Sequence, residues 1–274
     1  MKSWQKTIKY LAMAFAVFLI VSIFGGIFAS LGAFNIVGSL FDKKTDVLLG
    51  ELKTYTVSDR VADIEIDVAA AEFTVMQADS FYVESNIENI TVKVNNGCLK
   101  IDDNVESGAS LLSADTAVLN VYIPAGYVFG VADIDTGAGR VVINELSANE
   151  LELDLGAGEA EMKNITVTDK TEISGGTGNV NITDCKFYKP ELSLGVGEFS
   201  FTGELLGKGS IDMGIGEANI ILLGDKNDYT VSVTKGVGEA NVDGYRVDNN
   251  EVFGNGENRI DISGGIGEVN VEFN

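Results

Sequence analysis

Histidine is absent from the 274-residue chain, which also has only two cysteines, two prolines and one tryptophan. Without an imidazole there is no Ser-His or Cys-His nucleophile system and no histidine metal site. Cys98 and Cys185 stand outside any Cys-x-x-Cys pair and make no disulfide framework. One bridge or two free thiols remain open, and free thiols are the expectation. Basic residues are scarce too, 19 against 41 acidic, for a net charge of -22. Residues 1–41 hold three lysines and no acid, so the remainder carries 16 bases against 41 acids, a net of -25. Such a surface repels nucleic acid and anionic lipid headgroups and attracts cations, which argues against a nucleic-acid partner.

What is abundant is glycine, 32 residues, within a chain that is 45% hydrophobic. That composition suits many strands joined by tight turns rather than a disordered polar chain. From Tyr10 to Phe41 no residue is charged. As a helix rising about 1.5 Å per residue, the first two-thirds of this run already cross a hydrocarbon core about 30 Å thick. We expect one N-terminal transmembrane helix, with residues 10–36 in contact with the membrane. Lys2, Lys6 and Lys9 precede it, while Lys43 and Lys44 are offset by Asp42 and Asp46. This bias puts the N-terminus inside and the acidic part outside, as a single-pass cell-membrane protein. The competing reading is a signal peptide cleaved near Ala29 to Ala33, but the apolar run exceeds the roughly 7–15 residues of such a segment and favours an uncleaved anchor.

The organisation expected is a cytoplasmic stub and anchor over 1–41, a polar stalk over 42–60, and a β domain over 61–274 with its regular repeats at 131–274. Strand-like runs fill the interval before Gly137. Asn95-Asn96-Gly97 signals a hairpin there, and Glu106 to Thr116 reads as an exposed loop.

The repeat is a Gly-x-Gly phrase flanked by alternating apolar and polar residues, as in LDLGAGEAEM from Leu153 and LSLGVGEFSF from Leu192. Its first glycine falls at 137, 156, 176, 195, 214, 236 and 265, an interval that is nearly constant as far as Gly214 and widens over the last two steps. DIEIDVAAAEFTV is an eighth copy if Ala69 and Ala71 replace the glycines. Three places before the first glycine the residue is always aliphatic, from Ile66 and Ile134 to Ile262. Four and six places after it, from Phe73 and Val75 to Val269 and Val271, all sixteen residues are apolar. This period of two puts one side of each strand in a core.

The fold expected is therefore all-β, a single-stranded β-solenoid (β-helix or β-roll) of about 19–20 residues per rung, in which stacked rungs bury ladders that no single rung could bury alone. An ordinary β-sandwich is the rival, but it does not call for the same turn at a constant interval. The glycines read as corners needing positive φ or close backbone approach. A phosphate-binding loop would have to lead into a helix, whereas another strand follows each one here.

The run Val118 to Gly126, followed by Ile134-Asp135-Thr136-Gly137-Ala138-Gly139, resembles the bacterial putative adhesin family, envelope proteins grouped as a domain of unknown function. The resemblance covers most of residues 60–274. It implies a β-solenoid, often behind a membrane segment, with no catalytic residues to carry over. Arg140 departs from the acidic residue that follows most Gly-x-Gly turns.

Those acids, Glu72, Glu159, Glu198, Glu217, Glu239 and Glu268, are the residues that chemistry could use. Stacked along an edge, they form either a solvated acidic border that discourages aggregation or a weak site for Ca²⁺ or another hard cation, with Glu159, Glu198, Glu217, Glu239 and Glu268 as its contacts. The Asp of a calcium-binding nonapeptide roll is replaced by Val in GGTGNVNI and GGIGEVNV. Paired acids for polysaccharide cleavage can be nominated at Asp102-Asp103 or at Asp135 with Asp154, although so acidic a chain offers such pairs by chance. No cofactor is implied.

The reading that results is a non-catalytic structural, adhesion or binding module at the bacterial envelope, contacting wall polymer, glycan or protein. The alternatives are an accessory ectodomain of an envelope signalling or stress system and a polysaccharide-active β-helix enzyme. A rung ending near Val271 leaves backbone groups either to pair with an incoming strand or to be protected by Glu268 and Glu272.

Overall fold

The computed structural model describes residues 49–104, 116–248 and 250–274. The expected anchor, its cytoplasmic stub and the loop at 106–115 lie outside the described residues. In chain order the first strands are β1 (Leu49–Thr56), β2 (Asp63–Ala78), β3 (Tyr82–Ile87), β4 (Thr91–Asn95), β5 (Cys98–Asp102) and β6 (Val118–Pro124). The long strands β7 (Val128–Ile143), β8 (Leu146–Lys163), β9 (Ile165–Tyr188), β10 (Pro190–Leu206) and β11 (Lys208–Leu222) follow. After a single 3-10 turn at Lys226–Asp228 come β12 (Tyr229–Thr234), β13 (Val237–Val242), β14 (Tyr245–Arg246), β15 (Glu251–Gly254) and β16 (Asn258–Phe273).

The repeats stack as parallel rungs, with β2, β7, β8, β9, β10 and β11 pairing in that order. Each of these six strands runs unbroken through its corner rather than forming two short strands separated by a turn, whereas the rung of β12 and β13 is split at Lys235 and Gly236. Inward residues of a rung fall into three groups, for example Leu146 and Ala148, then Leu151 and Leu153, then Ala160 and Met162, all buried. Between the third group and the next rung the chain turns on a residue of positive φ, Asn164 (53°) or Asp184 (54°), types that tolerate the left-handed region. Of the sixteen apolar residues four and six places beyond the first corner position, all but the partly buried Val180 are in the core. The aliphatic ladder from Ile66 to Ile262 is buried throughout.

The order of rungs in space differs from their order in sequence. β16 lies between β11 on one side and β12 with β13 on the other, parallel to all three. The chain thus lays down the outermost rung, Tyr229 to Val242, before filling the place inside it. The expectation that the rung ending near Val271 leaves an open edge is corrected, because both edges of β16 are hydrogen-bonded. Its residues obey the same repeat as their neighbours, so Ile211, Ile262 and Val233 continue one ladder. The two wide steps of the repeat, from Gly214 to Gly236 and from Gly236 to Gly265, accommodate the detour.

Antiparallel pairings finish both ends, at the first end beyond β5 and β6, which themselves run parallel to β2. At the outer end β15 covers β12, and β14 covers the far part of β13. At the other end β5 lies along the first half of β2 with β4 hairpinned onto it through Asn96 and Gly97, both of positive φ. β6 lies along the second half and is extended by β3 and then β1. Part of the segment read as a stalk is therefore strand: Leu49–Thr56 forms an exposed edge, with a bulge between Leu49 and Lys53 that disfavours further pairing. Cys98 on β5 and the buried Cys185 on β9 are both free thiols.

Candidate binding surfaces

The corners set everything that faces solvent. The second glycine of each pair has φ between +132° (Gly139) and +149° (Gly238), a region that side chains resist. A Cβ at Gly156 would lie 1.7 Å from the carbonyl oxygen of Gly137, and one at Gly197 would lie 1.7 Å from that of Gly178. Every such clash points to the rung before it in space: Gly137 meets Ala69, Gly265 meets Gly214 and Gly236 meets Gly265. The rung on β2 has no corner before it. That is why Ala69 and Ala71 are tolerated there, and Ala71 is free of positive φ.

In place of a preceding corner, the buried Asp103 accepts the backbone N–H of Ala69 at 2.8 Å, and its own N–H reaches the Asp67 carbonyl. One of the acids nominated for glycan cleavage is thus a fixture of the first corner. Its neighbour Asp102, half-buried, accepts the N–H of Asn104. Asp135 and Asp154 do face solvent as paired residues on β7 and β8.

The residues after the corners stack in one row: Glu72, Arg140, Glu159, Asn179, Glu198, Glu217, Glu268, Glu239. Arg140, ion-paired to Glu161 at 3.2 Å, and Asn179 interrupt the row, so Glu159 stands apart and the remaining four predicted contacts form an unbroken run. At a strand spacing of about 4.8 Å, repulsion in water is about 0.9 kcal/mol per neighbouring pair. Among the described residues no group of three or more His, Cys, Asp or Glu side chains is placed to hold a metal ion.

A second acidic surface went unnoticed as a surface in the sequence. Before the corner, Asp102, Asp67, Asp135 and Asp154 form one row, and Glu65, Asp133, Glu152, Glu172 and Glu191 form another beside it. Partial burial, followed by repulsion from Glu65, Asp154 and Asp67, pushes the Asp133 carboxyl up. Partial burial and then Asp67 and Asp154 do the same to Asp135, while Asp133 chiefly raises Glu152. Lys100 on Glu65 and Lys170 on Glu172 supply local relief. The signal was present as acidic residues two and four places before the glycines.

Beneath the corners of β7 to β11 lies a small, partly open cavity of about 40 Å³. Its cause is side-chain size. The residues one before and four after the first glycine are Leu194 and Phe199 on β10, but Leu155 and Ala160 on β8 and Gly175 and Val180 on β9. The lining is largely apolar, with Glu159 and Glu198 also contributing.

A family model described as Toastrack DUF4097 matches residues 61–245. The chain belongs to the Toastrack family. The resemblance to adhesin-like proteins of unknown function stands, and within this Toastrack chain the matched span stops short of β15 and β16, so the inserted rung falls outside it. Solved structures similar to it include a putative cell adhesion protein from Clostridium sporogenes (13% identity, 82% of this chain and 99% of that one, TM-score 0.37). A putative adhesin from Bacteroides fragilis (9%, 81% and 96%, TM-score 0.32) and a putative lipid binding protein from Parabacteroides distasonis (13%, 83% and 99%, TM-score 0.35) are also similar. No curated protein matches the chain at a significant level.

Proposed function

We propose that this Toastrack chain is a membrane-anchored, extracytoplasmic binding module of the bacterial cell envelope, without catalytic activity. The observation that carries the reading is the register of the rungs. Because each corner stacks on the last, one side-chain type recurs on strand after strand, and the outer faces become rigid multivalent surfaces. The uncharged run from Tyr10 to Phe41, with lysines before it, supports an anchor that holds these surfaces outside the membrane. Wall polymer, surface glycan or another envelope protein is the class of partner.

Residues 45–274 form a compact unit and are the bait for the test. Affinity capture from envelope extracts is expected to retain a component that excess free bait competes away, and protease added to intact cells is expected to reach this unit. Protection of the unit in intact cells would overturn the topology. A partner retained only when residues 1–41 are present would move the reading toward a signalling accessory.

A further inference from the structure

Three outward columns run side by side over β10, β11, β16 and β13. Between the corner glycines stand Val196, Ile215, Ile266 and Val237; two places on, Glu198, Glu217, Glu268 and Glu239; two further, Ser200, Asn219, Asn270 and Asn241. None of the twelve is buried. On the other rungs the first column holds only Ala70, Ala138, Ala157 and Thr177, so apolar bulk at the crest is confined to these four. Ile266 is 40% and Val237 67% exposed, which puts both among the exposed large hydrophobic residues rather than at the edge of the core.

The amides organise the acids beside them. Asn241 donates to Asn270 at 3.0 Å and Asn270 to Asn219 at 3.1 Å. Asn219 and Asn270 also donate to Glu217 and Glu268 at 2.8 and 3.2 Å. Among the described residues Glu239 alone of these four acids has a cation, Arg246 at 3.0 Å. The result is an apolar ridge, half-buried at Val196 and Ile215 and exposed at Ile266 and Val237, beside a column of carboxylates of which Glu217 and Glu268 are held by amides. A second copy of this chain presents the same sign and is a poor occupant; a cationic partner with an apolar stripe is a good one.

Spacing selects the partner's shape. Strands recur every ~4.8 Å, and an α-helix lying along the stack repeats a face every ~5.4 Å, a drift of about 1.8 Å over three steps that long basic side chains absorb. An extended segment repeats a face every ~6.8 Å and falls out of step at once. We infer that this face docks a basic amphipathic α-helix presented by a protein or peptide, its apolar stripe on Val196, Ile215, Ile266 and Val237 and its Lys or Arg side chains on the carboxylate column. The inference rests on the binding-module reading. If envelope capture succeeds and the following test fails, that reading survives and this one does not.

The test uses the full chain in nanodiscs of zwitterionic lipid, with empty nanodiscs subtracted. The probe is a fluorescent Lys/Leu peptide of about five helical turns with a continuous leucine stripe, and the comparator is its scramble of equal composition. The striped peptide is expected to bind roughly tenfold or more tightly than the scramble. Glu217→Lys with Glu268→Lys should remove roughly tenfold or more, and Ile266→Ser with Val237→Ser several-fold. Asp133→Lys with Glu152→Lys, the same charge change on the other acidic surface, should leave the striped peptide's affinity in place. Unchanged melting temperatures confirm that each variant folds. Equal binding of the two peptides, equal loss from both charge reversals, or no binding would overturn the proposal.

Discussion

Replacing Gly197 by Ala probes the corner directly. The residue has φ +145°, and its Cβ would stand 1.7 Å from the Gly178 carbonyl oxygen. The dihedral alone costs about 1–3 kcal/mol. Opening the contact to van der Waals distance also pulls β10 from β9 around the Val196–Thr177 and Glu198–Asn179 pairs, at about 1 kcal/mol for each hydrogen bond weakened. A total of about 3–5 kcal/mol is expected, a large share of a stability of about 5–15 kcal/mol. Gly224 supplies the control, with φ +110° but no atom within 4 Å of the place a methyl group would take, so Gly224→Ala should show the dihedral cost alone. Urea unfolding followed by circular dichroism gives both values, and a reduced slope for Gly197→Ala would report rungs that no longer unfold as one array. Losses for the two variants within about 0.5 kcal/mol of each other would refute the view that contact between rungs, and not φ alone, demands glycine.

Three further outcomes are expected. Ile262→Ala, in the buried ladder of β16, should cost about 2–5 kcal/mol by chemical denaturation, because its strand holds β11 and β12 together. Asp135→Asn should raise the melting temperature at pH 7: its raised folded pKa means the folded state binds the proton more tightly, so this carboxyl's contribution to stability falls as pH rises through that pKa. The gain should shrink as pH drops below the carboxylate range, and a gain that persists there would refute the assignment. Ala160→Val should fill part of the corner cavity between Val141 and Val180 and add up to about 1 kcal/mol, checked by melting temperature.

Much of the coil was legible because the repeat carries both of its physical requirements. The glycines marked the corners, and the alternation around them placed fifteen of sixteen inward residues, including those of the alanine-based copy. Val180 departs because Gly175 and Ala160 beside it leave space unfilled. The insertion of β16 was not legible, since every copy offers the same ladder and any two can stack; only the widened spacing of the glycines after Gly214 hints at a detour. Asp103 was misread because an acid beside an acid on a strand looks like surface, and its partner, the Ala69 N–H, is far away in sequence. The carboxylate row was predicted member by member, but its break at Asn179 and its order, with Glu268 between Glu217 and Glu239, follow from the topology.

The place of β16 also constrains how such a molecule can lengthen. Duplicating one repeat between Gly137 and Gly214 simply slips in another layer, since β8, β9 and β10 each pair only with the strands next to them in sequence. Past β11 the same duplication would separate the final layer from the slot waiting for it, because β12, β13 and their covering strands already occupy the far side. Variation in length among homologues is therefore expected in the middle of the stack, with the threaded end passed on as a block.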